Sequence, residues 1–271
     1  MTPVHDGSPL GKATAYPDHY DPSLLFSIDR TEARKALSMD AALPFSGADL
    51  WTAHEITWLD RRGKPQVAIG EFRVGADSPA IVESKSVKLY LGSFAQERLG
   101  SATELAARIK ADLSRACGAD VKVRVLAASA MPMGELPGES IDAIETAIDV
   151  YRPDATLLRH GALVVDEALC TALFRCNCPV TGQPDCADVL VRYRGPRIDR
   201  EALLRYLVSY REHAAFHEAC VERVFIDVMR ACRPERLTVY ARFLRRGGID
   251  INPFRSDFEK APEHGVRSAR Q

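Results

Sequence analysis

Residues 89–94 have the sequence Leu-Tyr-Leu-Gly-Ser-Phe, and residues 205–210 have the sequence Arg-Tyr-Leu-Val-Ser-Tyr. Tyr, Leu and Ser occupy the same three of six positions in the two stretches, which lie 116 residues apart (205 minus 89). A helical pattern follows each stretch. Three matches are weak evidence alone, but the matching order of predicted elements around them indicates an internal repeat. We therefore predict an α+β fold of two related modules, each with antiparallel strands and a pair of helices.

The first half contains the elements that such a module requires. Strand-like runs cover residues 51–58 and 66–74, and the turn residues at 61–65 between them favour a β-hairpin. Residues 101–104, Ser-Ala-Thr-Glu, have the spacing of a capping box and predict the start of a helix. Three apolar residues lie on one stripe of that helix: Leu105, Ile109 and Leu113. The alternating run at 121–125 predicts a half-buried strand.

The second half repeats this order. Strand-like segments occur at 162–165 and 188–194, and a helical stretch runs from 200 to 232 with a predicted break near His213. The apolar residues of its later part fall four apart on one face: Phe216, Cys220, Val224 and Val228. A strand at 237–243 is predicted to be the last of the set.

Pro and Gly at short intervals mark two irregular segments. Residues 1–48 show no long periodic pattern and are predicted to form an N-terminal arm. Residues 131–140, with two Pro and two Gly, are the best linker candidate. The predicted first module then covers residues 49–130 and the second covers residues 141–271.

Composition limits the class of protein. The 271 residues include 36 basic and 37 acidic side chains, so no overall charge attracts the chain to nucleic acid or to a membrane surface. No apolar run approaches the ~20 residues of a membrane span. The N-terminus lacks the basic-then-apolar pattern of a signal peptide. Seven cysteines, an odd number, then indicate reduced thiols. We expect a cytoplasmic protein.

Three cysteines lie close together in residues 174–189, FRCNCPVTGQPDCADV. A zinc site, a disulfide, a reactive thiolate and ordinary buried thiols are all open alternatives. Cys176, Cys178 and Cys186 have poor spacing for structural zinc, which favours C-x₂₋₄-C pairs. A thiolate at Cys178 requires a proton acceptor or donor, and a turn would bring Asp185 towards it.

Three further segments carry groups suited to ligand binding. Phe216-His217-Glu218 begins a helix, Glu83-Ser84-Lys85-Ser86 follows a turn, and Arg245-Arg246-Gly247-Gly248 follows a strand. Arginines beside glycines suit a phosphate. A solvated helix start, a local ion pair and a Gly-Gly turn are the ordinary alternatives. No G-x-G-x-x-G is present, so a Rossmann cofactor site is not indicated.

Taken together, the four motifs resemble those of one family. They are 178–185 (CPVTGQPD), 83–90 (ESKSVKLY), 216–218 (FHE) and 246–253 (RGGIDINP). They closely resemble the motifs of the NADPH-dependent 7-cyano-7-deazaguanine reductases, the nitrile reductases of queuosine biosynthesis. Their order is that of the long, two-module form, as is Tyr20-Asp-Pro-Ser-Leu-Leu-Phe26. The resemblance covers nearly the whole chain.

The resemblance implies a fold, a reaction and an assembly. The fold is the tunnelling fold of GTP cyclohydrolase I, in two tandem modules that form a homodimer. The substrate is 7-cyano-7-deazaguanine, whose nitrile is reduced by two NADPH to 7-aminomethyl-7-deazaguanine, a precursor of a modified tRNA base. No metal is expected, and neither nucleic acid nor a membrane is an expected partner.

The resemblance also implies roles for individual residues. Cys178 adds to the nitrile to give a covalent thioimide, Asp185 gives a proton to the developing nitrogen, and His217 assists proton transfer to the imine. The substrate-binding residues that it implies are Val82, Glu83, Ser84, His217 and Glu218. The NADPH-binding residues that it implies are Ser84, Lys85, Arg246 and Gly247.

Two other functions remain as alternatives. A zinc-dependent cyclohydrolase-type enzyme on the same fold would need a metal set, for which His217 and Cys220 are candidates. A non-catalytic purine- or pterin-binding module would explain Glu218 but would leave Cys178 and Asp185 without a purpose.

Overall fold

The computed structural model describes residues 17, 19–39, 42–127 and 132–271. Residues 1–16, 18, 40 and 41 of the predicted arm lie outside the described residues. Residues 128–131, at the predicted boundary between the first module and the linker, also lie outside them. The strands are β1 (Ser27–Asp29), β2 (Ser46–Leu59), β3 (Pro65–Gly75), β4 (Ala80–Val82), β5 (Lys122–Leu126), β6 (Glu139–Ser140), β7 (His160–Asn177), β8 (Pro184–Ile198), β9 (Arg236–Phe243) and β10 (Ile249–Ser256). The helices are α1 (Thr31–Lys35), α2 (Ser84–Gly92), α3 (Ala102–Cys117), α4 (Arg200–Val208) and α5 (His217–Cys232).

Eight strands form one sheet in the order β5-β3-β2-β10-β9-β8-β7-β6. Its neighbours pair antiparallel except for the short parallel pair β6–β7. A second sheet consists of β1 and β4. The protein is thus a mixed α/β structure dominated by antiparallel pairing. None of the helices in the described ranges is long and apolar enough to cross a membrane.

The two similar stretches, residues 89–94 and 205–210, each join a pair of helices. A hairpin, a helix of 9 residues, a helix of 16 residues and a strand follow one another in each half. The Tyr90 hydroxyl donates to Asp112 of α3 at 2.7 Å, and the Tyr206 hydroxyl donates to Asp227 of α5 at 2.8 Å. Hydrogen bonds to a carboxylate are worth about 1.5–3 kcal/mol each. The repeated Tyr therefore joins the first helix to the second in both halves.

Most predicted elements are confirmed. The hairpin is β2–β3, the run at 121–125 becomes β5, and the break near His213 separates α4 from α5. Ser101 accepts a hydrogen bond from the backbone of Glu104 at 3.1 Å. The Glu104 carboxylate accepts from Gly100 at 2.8 Å, one residue earlier than a capping box predicts.

The prediction that the strand at 237–243 is the last one is wrong. β10 follows it and lies in the middle of the sheet, between β9 and β2. β10 contains Pro253, and proline cannot donate to a ladder. The structure accommodates it because pairing with β9 begins only at Phe254, and the Asn252 side chain accepts from the Phe243 backbone at 3.1 Å.

The pairing of β10 with β2 joins the two halves of the chain. The apolar faces of α2 and α3 pack on one end of the sheet, and those of α4 and α5 pack on the other. β1 pairs with β4 directly before α2. The N-termini of α2 and α5 therefore lie near the joint between the halves, where the pocket described next is found.

Candidate active site

A pocket of about 550 Å³, including its open mouth, lies at this joint. Its walls come from β4 and the start of α2 in the first half, and from the β7–β8 turn, the start of α5 and the β9–β10 turn in the second. Trp51, Ile81, Ile249 and Ile251 form much of its apolar surface. Segments distant in sequence thus meet around one cavity.

Cys178 lines the pocket from the loop that connects β7 to β8. The Cys178 backbone donates to Gln183 at 2.8 Å, and Gly182 donates to the Cys178 carbonyl at 3.0 Å. Gly182 has φ +67°, which L-residues rarely adopt. The turn therefore holds Cys178 in a fixed position with 8% of its surface exposed.

The other two cysteines of this segment have different surroundings. Cys176 is fully buried, and its sulfur lies 3.8 Å from the Asp185 carbonyl oxygen. Cys186 is half-buried, and neither residue lines the pocket. All seven cysteines are free thiols. Cys178 is thus the member of the group that reaches the cavity.

Asp185 is held by two cationic or protonatable partners. Its carboxylate accepts from Arg246 at 2.6 Å and lies 3.3 Å from the Nε2 of His217. Burial favours the neutral acid, but the hydrogen bonds and charges of His217 and Arg246 outweigh it and lower the pKa of Asp185. Asp185 is therefore ionised around neutral pH.

His217 is the first residue of α5, and its ring is fixed from two sides. It stacks on Phe243 with ring centroids 3.9 Å apart and an angle of 19° between the planes. Its Nε2 faces Asp185. An imidazole held against a carboxylate at the pocket wall can pass protons in either direction.

Glu218 offers the pocket an unsatisfied acceptor. It is 4% exposed, and within the described part of the chain its Oε1 has no hydrogen-bond partner. Burial, followed by repulsion from Asp49, raises the pKa of Glu218. Buried acceptors without partners are costly in native proteins. The arrangement suits a ligand that brings N–H donors.

Glu83 faces the pocket from the first half, where it caps α2. Its carboxylate accepts from the backbones of Lys85 at 2.7 Å and Ser86 at 2.8 Å. Burial raises the pKa of Glu83 despite these bonds. Val82 and Ser84 on either side of it also line the pocket. The five residues that the resemblance implies for substrate binding therefore line one pocket.

The β9–β10 turn places Arg246 at the pocket beside a lysine that the sequence argument missed. Gly247 and Gly248 have φ +59° and +81°, as a tight hairpin turn of this kind requires. A Cβ on Gly247 would lie 3.2 Å from the Lys88 side chain. Burial, followed by repulsion from Arg246, lowers the pKa of Lys88.

Lys88, rather than Lys85, is among the residues lining the pocket. It lies four residues after Ser84 on α2, so the two share one face of the helix. That spacing is the signal that would have identified it. Of the residues that the resemblance implies for NADPH binding, Ser84 and Arg246 line this corner of the pocket and Gly247 lies beside Lys88.

The residues proposed for a zinc site have other contacts. Cys220 is fully buried in the core of the second half, while His217 faces Asp185. In the part of the chain that the structure describes, no group of three His, Cys, Asp or Glu side chains is arranged to hold a metal ion.

Comparison with known proteins covers almost the entire chain. Residues 16–125 match the family model for the N-terminal part of nitrile reductase, 7-cyano-7-deazaguanine reductase, and residues 184–262 match that for QueF-like protein. A Chromobacterium violaceum protein named NADPH-dependent 7-cyano-7-deazaguanine reductase is 53% identical over 100% of this chain and 98% of its own. A Bordetella pertussis protein of the same name is 55% identical over 97% of this chain and 98% of its own.

A solved structure, that of the archaeosine synthase QueF-Like in the apo form, matches 35% of this chain and 94% of its own. Its TM-score of 0.31 and identity of 18% are too low to assign the fold. The full-length relatives, by contrast, share more than half of their residues with this sequence. The chain therefore belongs to the family of NADPH-dependent 7-cyano-7-deazaguanine reductases.

Proposed function

We propose that this protein reduces the nitrile of 7-cyano-7-deazaguanine to the aminomethyl group of 7-aminomethyl-7-deazaguanine, with two NADPH, in queuosine tRNA modification. The observation that carries the proposal is one pocket with Cys178, Asp185, His217 and Glu218 of the second half opposite Glu83 of the first. The names of the full-length relatives support it.

Recognition of the base rests on Glu218. The substrate presents a guanine-like edge with N–H donors, and the Oε1 of Glu218 is a buried acceptor without a partner. Val82, Glu83 and Ser84 complete the opposite wall. The Glu83 carboxylate already accepts two backbone hydrogen bonds, so it has the remaining lone pairs of its oxygens to offer.

Covalent addition rests on Cys178 and Asp185. The sulfur attacks the nitrile carbon, a C–S bond forms, and one π bond of the nitrile breaks towards nitrogen. Because Asp185 is ionised, it can accept the thiol proton as the sulfur attacks and deliver it to that nitrogen. The product is the thioimide, and the proton count balances without an external acid.

The later steps use the same groups. NADPH, when bound, supplies the hydride for each of the two reductions. Between the two reductions the C–S bond breaks, which leaves an imine and the Cys178 thiolate, and protonation of that thiolate restores the free thiol. His217 faces Asp185 and is placed to carry the protons that the nitrogen still needs.

The residues at the pocket fit an anionic cofactor. Lys88 and Arg246 line the same pocket, and burial, followed by repulsion from Arg246, lowers the pKa of Lys88, so a bound phosphate group would stabilise the charged form of Lys88. We propose that Ser84, Lys85, Arg246 and Gly247 bind NADPH, with Lys88 as a further contact.

Oxidation of NADPH tests the proposal. The protein with 7-cyano-7-deazaguanine should consume two NADPH for each amine formed. The absorbance of the reduced nicotinamide measures this consumption. The same assay without the nitrile is the control. Equal NADPH consumption with and without the nitrile, or no amine product, would refute the proposed reaction.

For the architecture we propose two tandem tunnelling-fold modules, with the boundaries 49–130 and 141–271 around the linker 131–140 and after the arm 1–48. The repeated hairpin, helix pair and strand support two modules, although β2 begins at Ser46, inside the proposed arm, and β6 lies inside the proposed linker. We further propose a cytoplasmic homodimer that does not bind nucleic acid. The first part of β7, where Leu163 and Val164 are exposed and the described residues provide no outer partner strand, supports the dimer.

A further inference from the structure

A cluster of buried charges lies behind Glu218. Arg30 of the N-terminal arm donates to Asp49 of β2 at 2.5 Å, and Arg255 of β10 contacts the other oxygen of Asp49 at 2.8 Å. Glu222 of α5 accepts from Arg255 at 2.9 Å and from Arg34 at 2.8 Å. Arg255 and Asp49 are completely buried.

The cluster has an excess of positive charge. It contains three guanidinium groups and two carboxylates. A buried charge without compensation is costly. Glu218 lies one helical turn before Glu222 on α5, and its carboxylate, when ionised, supplies the missing negative charge. An ionised Glu218 would bring the formal charge of the group to zero.

The arm that carries Arg30 is also attached to the pocket wall. β1 pairs with β4, whose Val82 lines the pocket. The Phe26 carbonyl accepts from the backbone of Glu83 at 2.9 Å, and the Phe26 N–H donates to the Ser86 hydroxyl at 3.0 Å. Arg30 is thus held at a fixed position relative to the substrate-binding residues.

We propose that Arg30 and Asp49 are positioning residues that set the charge of Glu218 from behind the pocket, and with it the pH range in which the pocket accepts the N–H donors of the substrate. This inference rests on the proposed function through the role of Glu218. Neither residue needs to touch the substrate.

The groups that act on Glu218 come from several elements. Burial and Asp49 of β2 raise the pKa of Glu218, whereas His217 of the same helix and Arg30 of the arm lower it. The Cys117 thiol of α3 is also close to Glu218: burial, with a smaller contribution from Glu218, raises the pKa of Cys117. The ionised carboxylate is the stronger acceptor for an N–H donor, so binding weakens as the pH falls through the raised pKa of Glu218.

The two residues should therefore act in opposite directions. Asp49→Asn removes a negative charge and should move the acid limb of binding to lower pH. Arg30→Gln removes a positive charge and should move it to higher pH, while Arg30→Lys should restore most of the wild-type profile. A single nearby charge shifts a pKa by about 1 unit or more, which sets the expected size.

The test is calorimetric titration of 7-cyano-7-deazaguanine, without NADPH, into Cys178→Ala protein over the acidic and neutral range. That background has no covalent step. Asp112→Asn is the matched control, because Asp112 is a buried carboxylate that binds Tyr20 and Tyr90 and lies outside the pocket lining. The loss of nitrile binding at low pH should occur over the same pH range with and without Asp112→Asn in the Cys178→Ala protein.

Opposite shifts in Asp49→Asn and Arg30→Gln support the inference. Unshifted limbs, or shifts in the same direction, overturn it. If Asp49→Asn does not fold, the difference between Arg30→Gln and Arg30→Lys decides, since a purely structural role gives no shift between them. Absence of binding in the parent at every pH would overturn the proposed function, and this inference with it.

Discussion

Cys178 owes its place at the cavity to a tight turn, and its sulfur is the atom on which the proposed reaction depends. Cys178→Ala removes that atom and leaves Glu218 and Glu83 unchanged. We expect turnover to be abolished and binding of the nitrile to be retained. Steady-state NADPH oxidation and calorimetric titration with 7-cyano-7-deazaguanine measure the two effects.

Mass spectrometry of the wild type with the nitrile and without NADPH should show one adduct, on Cys178. Cys176→Ala and Cys186→Ala are the matched controls, because both change a neighbouring thiol that does not line the pocket. Each should still form the adduct. An adduct on Cys176 or Cys186 would show that the nucleophile has been assigned to the wrong sulfur.

Asp185→Asn keeps the size of the side chain but cannot carry the thiol proton to nitrogen. Adduct formation should slow by about 10²–10⁴-fold, the usual contribution of positioned acid–base groups. Rapid mixing followed by mass spectrometry gives the rate. Asp188→Asn on the same strand is the control, since Asp188 binds Arg270 away from the pocket. An adduct rate equal to the wild type would make Asp185 a structural residue.

Glu218→Gln replaces a carboxylate acceptor with a neutral amide at a buried position of the pocket wall. A hydrogen bond to a charged group is worth about 1.5–3 kcal/mol, so the dissociation constant of the nitrile should rise by at least about 10-fold. Titration into protein that also carries Cys178→Ala measures it. The exposed Glu145→Gln should change nothing. An unchanged constant in Glu218→Gln would exclude Glu218 as the anchor.

Among individual residues, the sequence predicted those that belong to compact motifs. Cys178, Asp185, His217 and Glu218 could be named because each is part of a short run with several chemical groups. Lys88 and the cluster of Arg30 and Asp49 could not. Their partners lie on distant segments, and single charged residues in a sequence do not show which of them will be buried together.

At the scale of elements, periodicity and turn residues predicted the hairpins and helices of both halves. β10 was missed because its identity depends on tertiary context. A run with an internal proline can be a strand only where no hydrogen-bond donor is needed at the proline position. β10 meets that condition, because its pairing with β9 begins at Phe254, after Pro253. The Asn252 side chain takes the place of one missing bond.

The turn between β9 and β10 carries Arg246, which suits recognition of the ribose 2′-phosphate of NADPH. Arg246→Ala should raise the Michaelis constant for NADPH strongly and that for NADH little. It should also let the pKa of Asp185 rise towards its ordinary value, because Arg246 now lowers it. That value is still acidic, so adduct formation at neutral pH should remain nearly unchanged, while its acid limb moves to higher pH.

The ratio of the two cofactor efficiencies, at fixed ionic strength because salt screens exposed charges, measures the effect. Arg245→Ala is the matched control, since Arg245 is the exposed neighbour in the same turn. Equal losses with NADH and NADPH would place the 2′-phosphate contact elsewhere, and Arg245→Ala would then be the next variant to compare.

At the scale of the molecule, the joint between the halves follows from the pairing of β2 with β10, strands about 200 residues apart in sequence. No local pattern specifies such a partner or its register. The internal repeat predicted that the halves are alike, but it did not predict which strands join them. The pocket between them was therefore accessible from sequence only through the resemblance to a family.

One side of the same sheet has an edge strand that can pair with a second chain. β7 has 18 residues, and within the described structure its outer side pairs at Leu169 and Cys170 with β6 and at Asn177 with Ala214. Along its first half Leu163 and Val164 are 57% and 54% exposed. Successive side chains point to opposite faces, so both faces and the edge are open there. Exposed apolar edge strands pair with other chains unless they are blocked.

Val164→Lys should therefore convert the proposed homodimer into a monomer, because a charged side chain on this exposed part of the edge would be buried against the second chain without a partner. Sedimentation velocity of the purified protein measures the change in mass. Phe258→Lys is the control, since Phe258 is 40% exposed but lies outside the strands of the sheet. A Val164→Lys protein that remains dimeric would move the interface away from β7, and a monomeric wild type would remove the dimer itself.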